Sequence, residues 1–128
     1  LIIHNNEISH RGNKTVFAFG PKYLSNKLYQ ASPIEDIELA KSLLRRGSLF
    51  GEDLSQQKNF SKQGYGSVPL AFIVCTEDLA ISLNFQLWMI QNAGINDVVE
   101  IEGADHMAMI SKPKELCDSL LQIATKYT

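Results

Sequence analysis

The carboxyl-terminal half of the chain alternates two strand patterns with two helical patterns. Residues 70–75 are apolar throughout and of strand length, which is typical of a parallel strand buried on both faces. Residues 98–101 carry three apolar side chains and predict a second, shorter strand. Residues 82–93, which Gly94 closes, and residues 113–127 each place their apolar side chains on one helical face. The order strand, helix, strand, helix predicts a parallel α/β crossover.

A further helix is predicted after residue 32. Ser32 is a candidate N-cap, Pro33 suits the first helical position, and Glu35 completes a capping box. Apolar residues then recur at helical spacing up to two arginines and Gly47, a combination typical of a helix end. The pattern therefore predicts a helix over residues 33–46.

The other segments are less regular. Residues 1–30 predict loop structure with room for a short hairpin. Leu49, Phe50 and Leu54 predict a short helix that runs into a turn at residues 64–67.

Composition excludes several classes of protein. With 128 residues, 45% hydrophobic and 20% charged, the chain is typical of one globular domain. Its formal net charge of −2 comes without clusters of either sign, so we expect no binding to nucleic acid or to anionic lipid. Cys75 and Cys117 predict small buried side chains, no disulfide or zinc framework, and a reducing compartment.

Targeting and metal signals are absent from the sequence. No apolar run reaches the roughly 18 to 20 residues of a membrane span and no signal peptide opens the chain, so we expect a cytoplasmic protein without membrane contact. The sequence starts at Leu1 without an initiator Met, which leads us to expect further residues upstream. His4 and His10 lack a neighbouring Cys or paired carboxylate, and no metal or cofactor is expected.

Ionisable side chains follow both predicted strands. Glu77 and Asp78 come directly after the first strand, and Asp105 and His106 follow the second. Since the carboxyl ends of parallel strands meet at one edge of a sheet, a carboxylate and the imidazole could come within hydrogen-bonding distance there. Such a pair is half of a hydrolytic relay, in which the acid fixes the tautomer of a general base. Solvation of the loops by acidic side chains is the alternative interpretation.

Several separate motifs resemble one family of enzymes. They are Ile73-Val74-Cys75-Thr76-Glu77-Asp78, Phe85-Gln86-Leu87-Trp88 and Gly103-Ala104-Asp105-His106-Met107-Ala108-Met109. In this order and spacing they resemble the carboxyl-terminal part of the plant methylesterase group of α/β-hydrolases, to which the hydroxynitrile lyases are closely related. The similarity covers about residues 19–128, whereas residues 1–18 match poorly.

The resemblance implies a serine hydrolase whose nucleophile is not in these 128 residues. In the family the acid is the Asp of the T-E-D turn and the base is the His of the G-A-D-H loop, which here are Asp78 and His106. The family's serine lies in a G-x-S-x-G elbow, and none of the eleven serines of this sequence has glycine both two residues before and two residues after it. We therefore expect the chain to be inactive alone.

The resemblance also implies the layout of the fold. The fold class is α/β, with residues 67–128 as the carboxyl-terminal part of an α/β-hydrolase core that holds two parallel strands, a crossover helix and a terminal helix. Residues 1–66 correspond to a partial, mainly helical cap. Leu49, Phe50 and Met107 are candidates for an apolar substrate pocket, and ordinary core packing is the alternative for each.

The residue after the base bears on the reaction. Hydroxynitrile lyases of the family place a lysine there, whereas this sequence has Met107, so the resemblance favours ester hydrolysis over lyase chemistry. The implied partner is a small methyl ester of the methyl salicylate, methyl jasmonate or methyl indole-acetate class, or its carboxylic acid, and a homodimer is the assembly implied for the full-length family. The alternative is a truncated, non-catalytic homologue that binds a small hydrophobic acid or a partner, followed by a hydroxynitrile lyase remnant.

Overall fold

The structure is a computed structural model and describes residues 6–11 and 14–127. Leu1 and His4, on which expectations were stated above, lie outside the described residues. The described elements are, in chain order, β1 (Glu7–Arg11), β2 (Lys14–Ala18), α1 (Pro21–Tyr23), a π-helical turn (Leu24–Leu28), α2 (Ile34–Leu43), β3 (Gly47–Leu49), α3 (Gly51–Gln56), a 3₁₀ turn (Tyr65–Ser67), β4 (Ala71–Cys75), α4 (Leu83–Ala93), β5 (Asp97–Ile101), α5 (Ala108–Ser111) and α6 (Pro113–Lys126). None of these described helices is long and apolar enough to cross a membrane.

Strands β4 and β5 form the parallel pair that the sequence predicts. Ala71 lies opposite Asp97 and Cys75 opposite Ile101, so the two strands end side by side. Val74, in the middle of this pair, is 1% exposed. Helix α4 connects the strands and contacts β4, while α6 contacts β5. The predicted order of strand, helix, strand and helix is confirmed.

The end of α4 also follows its prediction. Gly94 has φ +65°, in the left-handed region that residues with a Cβ rarely adopt. The amide of Ile95 donates to the carbonyl of Ile90 at 3.1 Å, which satisfies a carbonyl that the helix would otherwise leave free. Gly94 thus stops the helix and turns the chain toward β5.

The amino-terminal part contains an antiparallel sheet of the order β1, β2, β3. Strands β1 and β2 form the short hairpin for which the sequence left room. Strand β3 pairs with the other edge of β2, with Leu49 opposite Thr15 and Gly47 opposite Phe17. The residues around position 47 are therefore part of a sheet, which the helical pattern before them does not indicate.

This pairing corrects two predictions. Helix α2 ends at Leu43 and not at residue 46, and Leu44 is already extended with ψ 133°. Gly47 is a strand residue and not a helix stop, and Leu49, predicted to be helical, belongs to β3, so that α3 begins only at Gly51. Hydrogen bonds to β2 outweigh local helix signals here, because propensity is a weak prior against tertiary pairing.

The start of α2 corrects a third prediction. The helix begins at Ile34 after Pro33, and no side chain caps its first turn. Ser32 is not an N-cap, because its hydroxyl donates to the carboxylate of Asp105 at 2.8 Å instead. Glu35 lies in the first turn, where a negative charge suits the positive end of the helix dipole.

Two apolar clusters hold the described residues together. Ile101, Ala104 and Ala108 form one under the β4–β5 pair, with Leu116 of α6 packed against them. The other joins the amino-terminal part to the loops after β4 and β5. It consists of buried Leu24, Leu28, Tyr29 and Ile37, with Tyr23, Ala40, Ala80, Met107 and Ile110 packed against them. This second cluster fixes residues 24–40 against the two loops that carry the ionisable side chains.

Candidate active site

Asp78 and His106 meet beyond the carboxyl ends of β4 and β5. Asp78 Oδ2 lies 2.9 Å from His106 Nδ1. The carboxylate of Asp78 is 7% exposed and the imidazole is 33% exposed. The acid is therefore shielded from water while one side of the ring stays accessible.

The environment of Asp78 sets the tautomer of His106. Oδ1 of Asp78 accepts the backbone amides of Ala80 and Ile81, each at 2.8 Å. These two bonds hold the carboxylate so that Oδ2 faces the imidazole. Since a carboxylate only accepts hydrogen bonds, Nδ1 of His106 carries a proton and the Nε2 of the neutral ring presents a lone pair. A ring in this state can take a proton from a hydroxyl group.

Two hydrogen bonds donated by backbone amides hold the loop after β4 and the loop after β5 together. The amide of Gly103 donates to Thr76 Oγ1 at 2.8 Å, and the amide of Glu77 donates to the carbonyl of Ala104 at 2.9 Å. The segment before His106 is thus tied to the segment before Asp78 at two points. The distance between acid and imidazole follows from this link as well as from the register of the strands.

The side chain of Gln86, in α4, binds both ends of the loop that carries Asp78. Its buried side chain accepts the amide of Cys75 at 3.0 Å and donates to the carbonyls of Cys75 and Ile81 at 2.9 and 2.8 Å. One side chain therefore joins the end of β4 to the loop before α4. Sequence reasoning missed this role, because a glutamine on the buried side of an amphipathic helix was its only signal.

Asp105 is the second acid next to the base. It is fully buried, and its oxygens accept the amides of Met107 at 2.9 Å and Ala31 at 3.0 Å together with the hydroxyl of Ser32. None of its described hydrogen bonds goes to the ring of His106. The third acidic candidate, Glu77, is exposed, and its backbone carbonyl accepts the side-chain amide of Gln30.

Gly103 is required by the shape of the loop before His106. Its φ is +72°, and a Cβ at this position would lie 3.3 Å from Cε of Lys112. We expect Gly103→Ala to lower the free energy of unfolding by about 1 to 2 kcal/mol, the cost of a left-handed residue with a side chain. Urea unfolding of the two proteins measures this. Gly47→Ala is the matched control, since a Cβ there meets nothing within 4 Å, and an equal loss in both variants would contradict the expectation.

Cys75 lies at the end of β4 but is a poor nucleophile. Burial, and then the negative charges of Asp78 and Asp105, raise the pKa of its thiol. A raised pKa leaves less thiolate at neutral pH, and the thiolate is the reactive form. Cys75 is therefore not a candidate nucleophile at neutral pH.

The two cysteines should differ in alkylation. The prediction of a buried side chain is wrong for Cys117, which is exposed on α6, whereas Cys75 is partly buried. At neutral pH we expect iodoacetamide to modify Cys117 first, with modification of Cys75 increasing as the pH is raised toward its elevated pKa. Peptide mass spectrometry over time measures both rates. Equal rates at neutral pH would contradict this description of Cys75.

The three pocket candidates lie in two different places. Leu49 and Phe50 line a cavity of about 630 Å³ whose other lining residues are Thr15, Ser48 and residues 51–53. Met107 packs against the buried cluster around Leu24 and Leu28. Neither Asp78 nor His106 lines the cavity at Leu49.

The described residues offer no metal site. Within residues 6–11 and 14–127, no three His, Cys, Asp or Glu side chains are grouped as a metal ion requires. His10 lies on the exposed hairpin, where its Nδ1 is 3.4 Å from the hydroxyl of Thr15.

Comparison with known proteins identifies relatives for most of the chain. No protein-family model matches it. The chain is 56% identical over 113 residues to norfluorocurarine synthase 2 of Strychnos nux-vomica and 54% identical over 113 residues to salicylic acid-binding protein 2 of Nicotiana tabacum. It is 50% identical over 119 residues to an alpha-hydroxynitrile lyase of Arabidopsis thaliana. These alignments cover 88%, 88% and 93% of the chain but only 42%, 44% and 46% of the relatives, so the chain spans less than half their length.

Solved structures agree on the fold. A crystal structure of polyneuridine aldehyde esterase superimposes with a TM-score of 0.91 at 42% identity, covering 94% of this chain and 49% of that one. Tomato methylketone synthase I, complexed with 2-tridecanone, superimposes with a TM-score of 0.88 at 40% identity, covering all of this chain and 52% of that one. The fold is the carboxyl-terminal part of an α/β-hydrolase.

Proposed function

Since the chain is homologous to the carboxyl-terminal half of the plant methylesterase group of α/β-hydrolases, we propose that it carries the acid and the base of a serine carboxylesterase. Asp78 is the orienting acid and His106 the general base. The single observation that carries the proposal is the 2.9 Å contact between Asp78 Oδ2 and His106 Nδ1, with the ring one-third exposed.

The proposed reaction needs a serine from the amino-terminal half of the fold. Nε2 of His106 takes the proton of that serine as its oxygen attacks the ester carbonyl, and the ring then gives this proton to the methoxide oxygen, which leaves as methanol. The same ring next takes a proton from a water molecule that attacks the acyl-enzyme, and it returns that proton to the serine oxygen as the carboxylic acid is released. Asp78 stabilises the imidazolium that forms in each half of the cycle.

The surface of the chain supports an association with further protein. Its accessible area is 9519 Å², whereas a compact monomer of this size exposes roughly 6,800 Å². Part of the surplus is apolar: Phe85 and Trp88 of α4 stack with ring centroids 5.3 Å apart and are each about half exposed, as are Leu120 and Leu121 of α6. Exposed apolar side chains of this kind on α4 and on α6 are typical of surfaces that contact further protein. We assign it to contact with the half that holds the serine.

The proposed substrate is a small methyl ester. The names of two relatives, methylesterase 1 of Arabidopsis thaliana and salicylic acid-binding protein 2, support the methyl ester of a small carboxylic acid as the substrate. Methyl salicylate, methyl jasmonate and methyl indole-acetate are the candidates. We further propose that residues 1–66 are part of a cap over the pocket and that residues 67–128 belong to the core. Met107, next to the base and packed on the cluster around Leu24, is the proposed apolar wall.

Two other functions are candidates because of particular observations. One relative at 50% identity is named a hydroxynitrile lyase, so cyanohydrin cleavage is tested alongside ester hydrolysis. The sequence contains no G-x-S-x-G, which favours a non-catalytic protein that binds a small hydrophobic acid. These alternatives differ from the proposal in measurable products.

A chimera tests the proposal. The part of the tobacco relative that this chain does not cover is joined in front of residues 1–128, so that the serine comes from the relative and the Asp78–His106 pair from this chain. We expect a fluorophosphonate probe to label the chimera on serine, and the chimera to release acid from the methyl esters but no cyanide from a cyanohydrin. A chimera that is folded by circular dichroism and monodisperse by gel filtration, yet unlabelled, would favour the binding function. Cyanide release would favour the lyase.

A further inference from the structure

We propose that Asp105 is a positioning residue, which makes the orientation of His106 depend on a strap formed by residues 30–32. This inference rests on the proposed function of His106 as a base. It assigns a task to an acid that the proposed reaction does not use, and it identifies where residues of the amino-terminal part reach the site.

The carboxylate of Asp105 closes a turn around His106. Oδ1 accepts the amide of Met107 at 2.9 Å, so the side chain bonds the backbone two residues ahead and His106 is the central residue of the turn. The backbone amide of Asp105 donates to the hydroxyl oxygen of Ser111 at 3.3 Å. The backbone on both sides of the imidazole is therefore fixed by one residue.

The other oxygen of the same carboxylate binds the strap. Oδ2 accepts the amide of Ala31 at 3.0 Å and the hydroxyl of Ser32 at 2.8 Å. The neighbouring Gln30 donates its side-chain amide to the carbonyl of Glu77, the residue before Asp78. The strap thus contacts the loop of the base through Asp105 and the loop of the acid through Gln30.

The chemistry of Asp105 fits positioning and not solvation of a loop. Asp105 is completely buried, and among the described ion pairs none includes it, so neutral donors alone satisfy its oxygens. A buried carboxylate without a cation is costly unless its hydrogen bonds are complete. Each oxygen has its donor here: Met107 lies two residues from Asp105 in sequence, whereas Ala31 lies 74 residues away. Only an acceptor at both oxygens can hold these segments together.

An amide cannot replace this carboxylate. In Asp105→Asn the single oxygen can face either Ala31 or Met107, and the NH₂ group then points at the other backbone amide. One of the two links is lost in either orientation. Ser32→Ala is milder, since it removes one donor from Oδ2 and leaves both backbone amides in place.

Proton and nitrogen NMR of the full 128-residue chain, labelled with ¹⁵N, tests the inference. We expect the Nδ1–H resonance of His106 to be lost in Asp105→Asn and broadened in Ser32→Ala, with faster hydrogen exchange of the Ala31 amide in both. Ser119→Ala is the control, because Ser119 is also buried and its hydroxyl donates to the carbonyl of Glu115 within α6. The control should lose stability without changing the His106 resonance.

The outcomes separate this inference from the proposed function. An unchanged Nδ1–H resonance in folded Ser32→Ala and Asp105→Asn would overturn the positioning role and leave the Asp78–His106 pair intact. If Asp105→Asn does not fold, the result for Ser32→Ala decides, because in that variant Asp105 still accepts the backbone amides of Ala31 and Met107. A wild-type chain that lacks the Nδ1–H form would instead contradict the proposed function itself.

Discussion

Replacing His106 by alanine should abolish most of the esterase activity of the chimera. The ring is the proposed base for the serine and the proposed acid for methanol, and removing such a group costs about 10²- to 10⁴-fold in rate. The fold should survive, because the imidazole is one-third exposed and its described hydrogen bond is to Asp78. The measurement is kcat/KM for a methyl ester together with the rate of fluorophosphonate labelling, since a serine without its base reacts slowly with the probe.

His10→Ala is the matched control for this variant. His10 lies on the exposed β1–β2 hairpin, and its described contact is with the hydroxyl of Thr15. We expect the control chimera to keep the activity of the parent. If His106→Ala retained labelling and turnover within a few-fold of the parent, His106 would not be the base.

Asp78→Asn should be nearly as damaging without removing the imidazole. The asparagine oxygen is expected to keep the amides of Ala80 and Ile81, which leaves the NH₂ group facing His106. The ring must then accept at Nδ1 and carry its proton on Nε2, where it can no longer take the proton of serine. Such a change of tautomer lowers kcat by about 10⁴-fold in serine hydrolases of this type. Measuring kcat and KM of the parent chimera and of its Asp78→Asn variant with one methyl ester tests this expected loss.

Asp97→Asn is the control for Asp78→Asn. Asp97 lies at the opposite end of the strand pair, where its hydrogen bond to Lys126 lowers the pKa of the carboxyl group, with a further contribution from Tyr127. A lowered pKa means that Asp97 stabilises the fold at neutral pH and that this contribution is lost as the pH falls through that pKa. The control should therefore lower the melting temperature at pH 7, lose this difference in acid, and keep kcat. A loss of kcat equal to that of Asp78→Asn would contradict a specific role for Asp78.

The parallel pair and its loops are the part of the structure that the sequence predicts best. An apolar run such as residues 71–75 is typical of a strand in a parallel sheet, although only Val74 of this strand is buried here, and the polar residues after the strand lie at the sheet edge. This is why a contact between a carboxylate and the imidazole could be predicted from position, whereas the choice of Asp78 came from the family resemblance, and why Gly94 could be identified as a helix end. Local chemistry and global fold agree at these positions.

The amino-terminal part was less predictable because distant residues decide its local structure. Ser32, Pro33 and Glu35 satisfy every local requirement of a capping box, yet the serine hydroxyl bonds a carboxylate 73 residues away. Gly47 satisfies the requirements of a helix end, yet it pairs with Phe17. In both cases a tertiary hydrogen bond uses the group that the local pattern assigned elsewhere, and one sequence does not reveal such a partner.

The role of Asp105 left a weak signal in the sequence. Two acids stand near one histidine along the two loops, and only one of them can orient the ring. Their different contacts become visible only in three dimensions: Asp78 binds the imidazole, whereas Asp105 binds Ala31 and Met107. A second buried acid directly before a candidate base is therefore a pattern that indicates a positioning role.

The ring nitrogens of His106 provide the most direct test of the central claim, that Asp78 holds this imidazole ready to act as a base. The chain contains three histidines, so ¹⁵N-histidine labelling with His106→Ala for assignment isolates its two signals. For the neutral ring the structure predicts a proton on Nδ1, and a proton on Nε2 once Asp78 becomes asparagine. A ring that carries its proton on Nε2 in the parent chain, unchanged in Asp78→Asn, would contradict the claim.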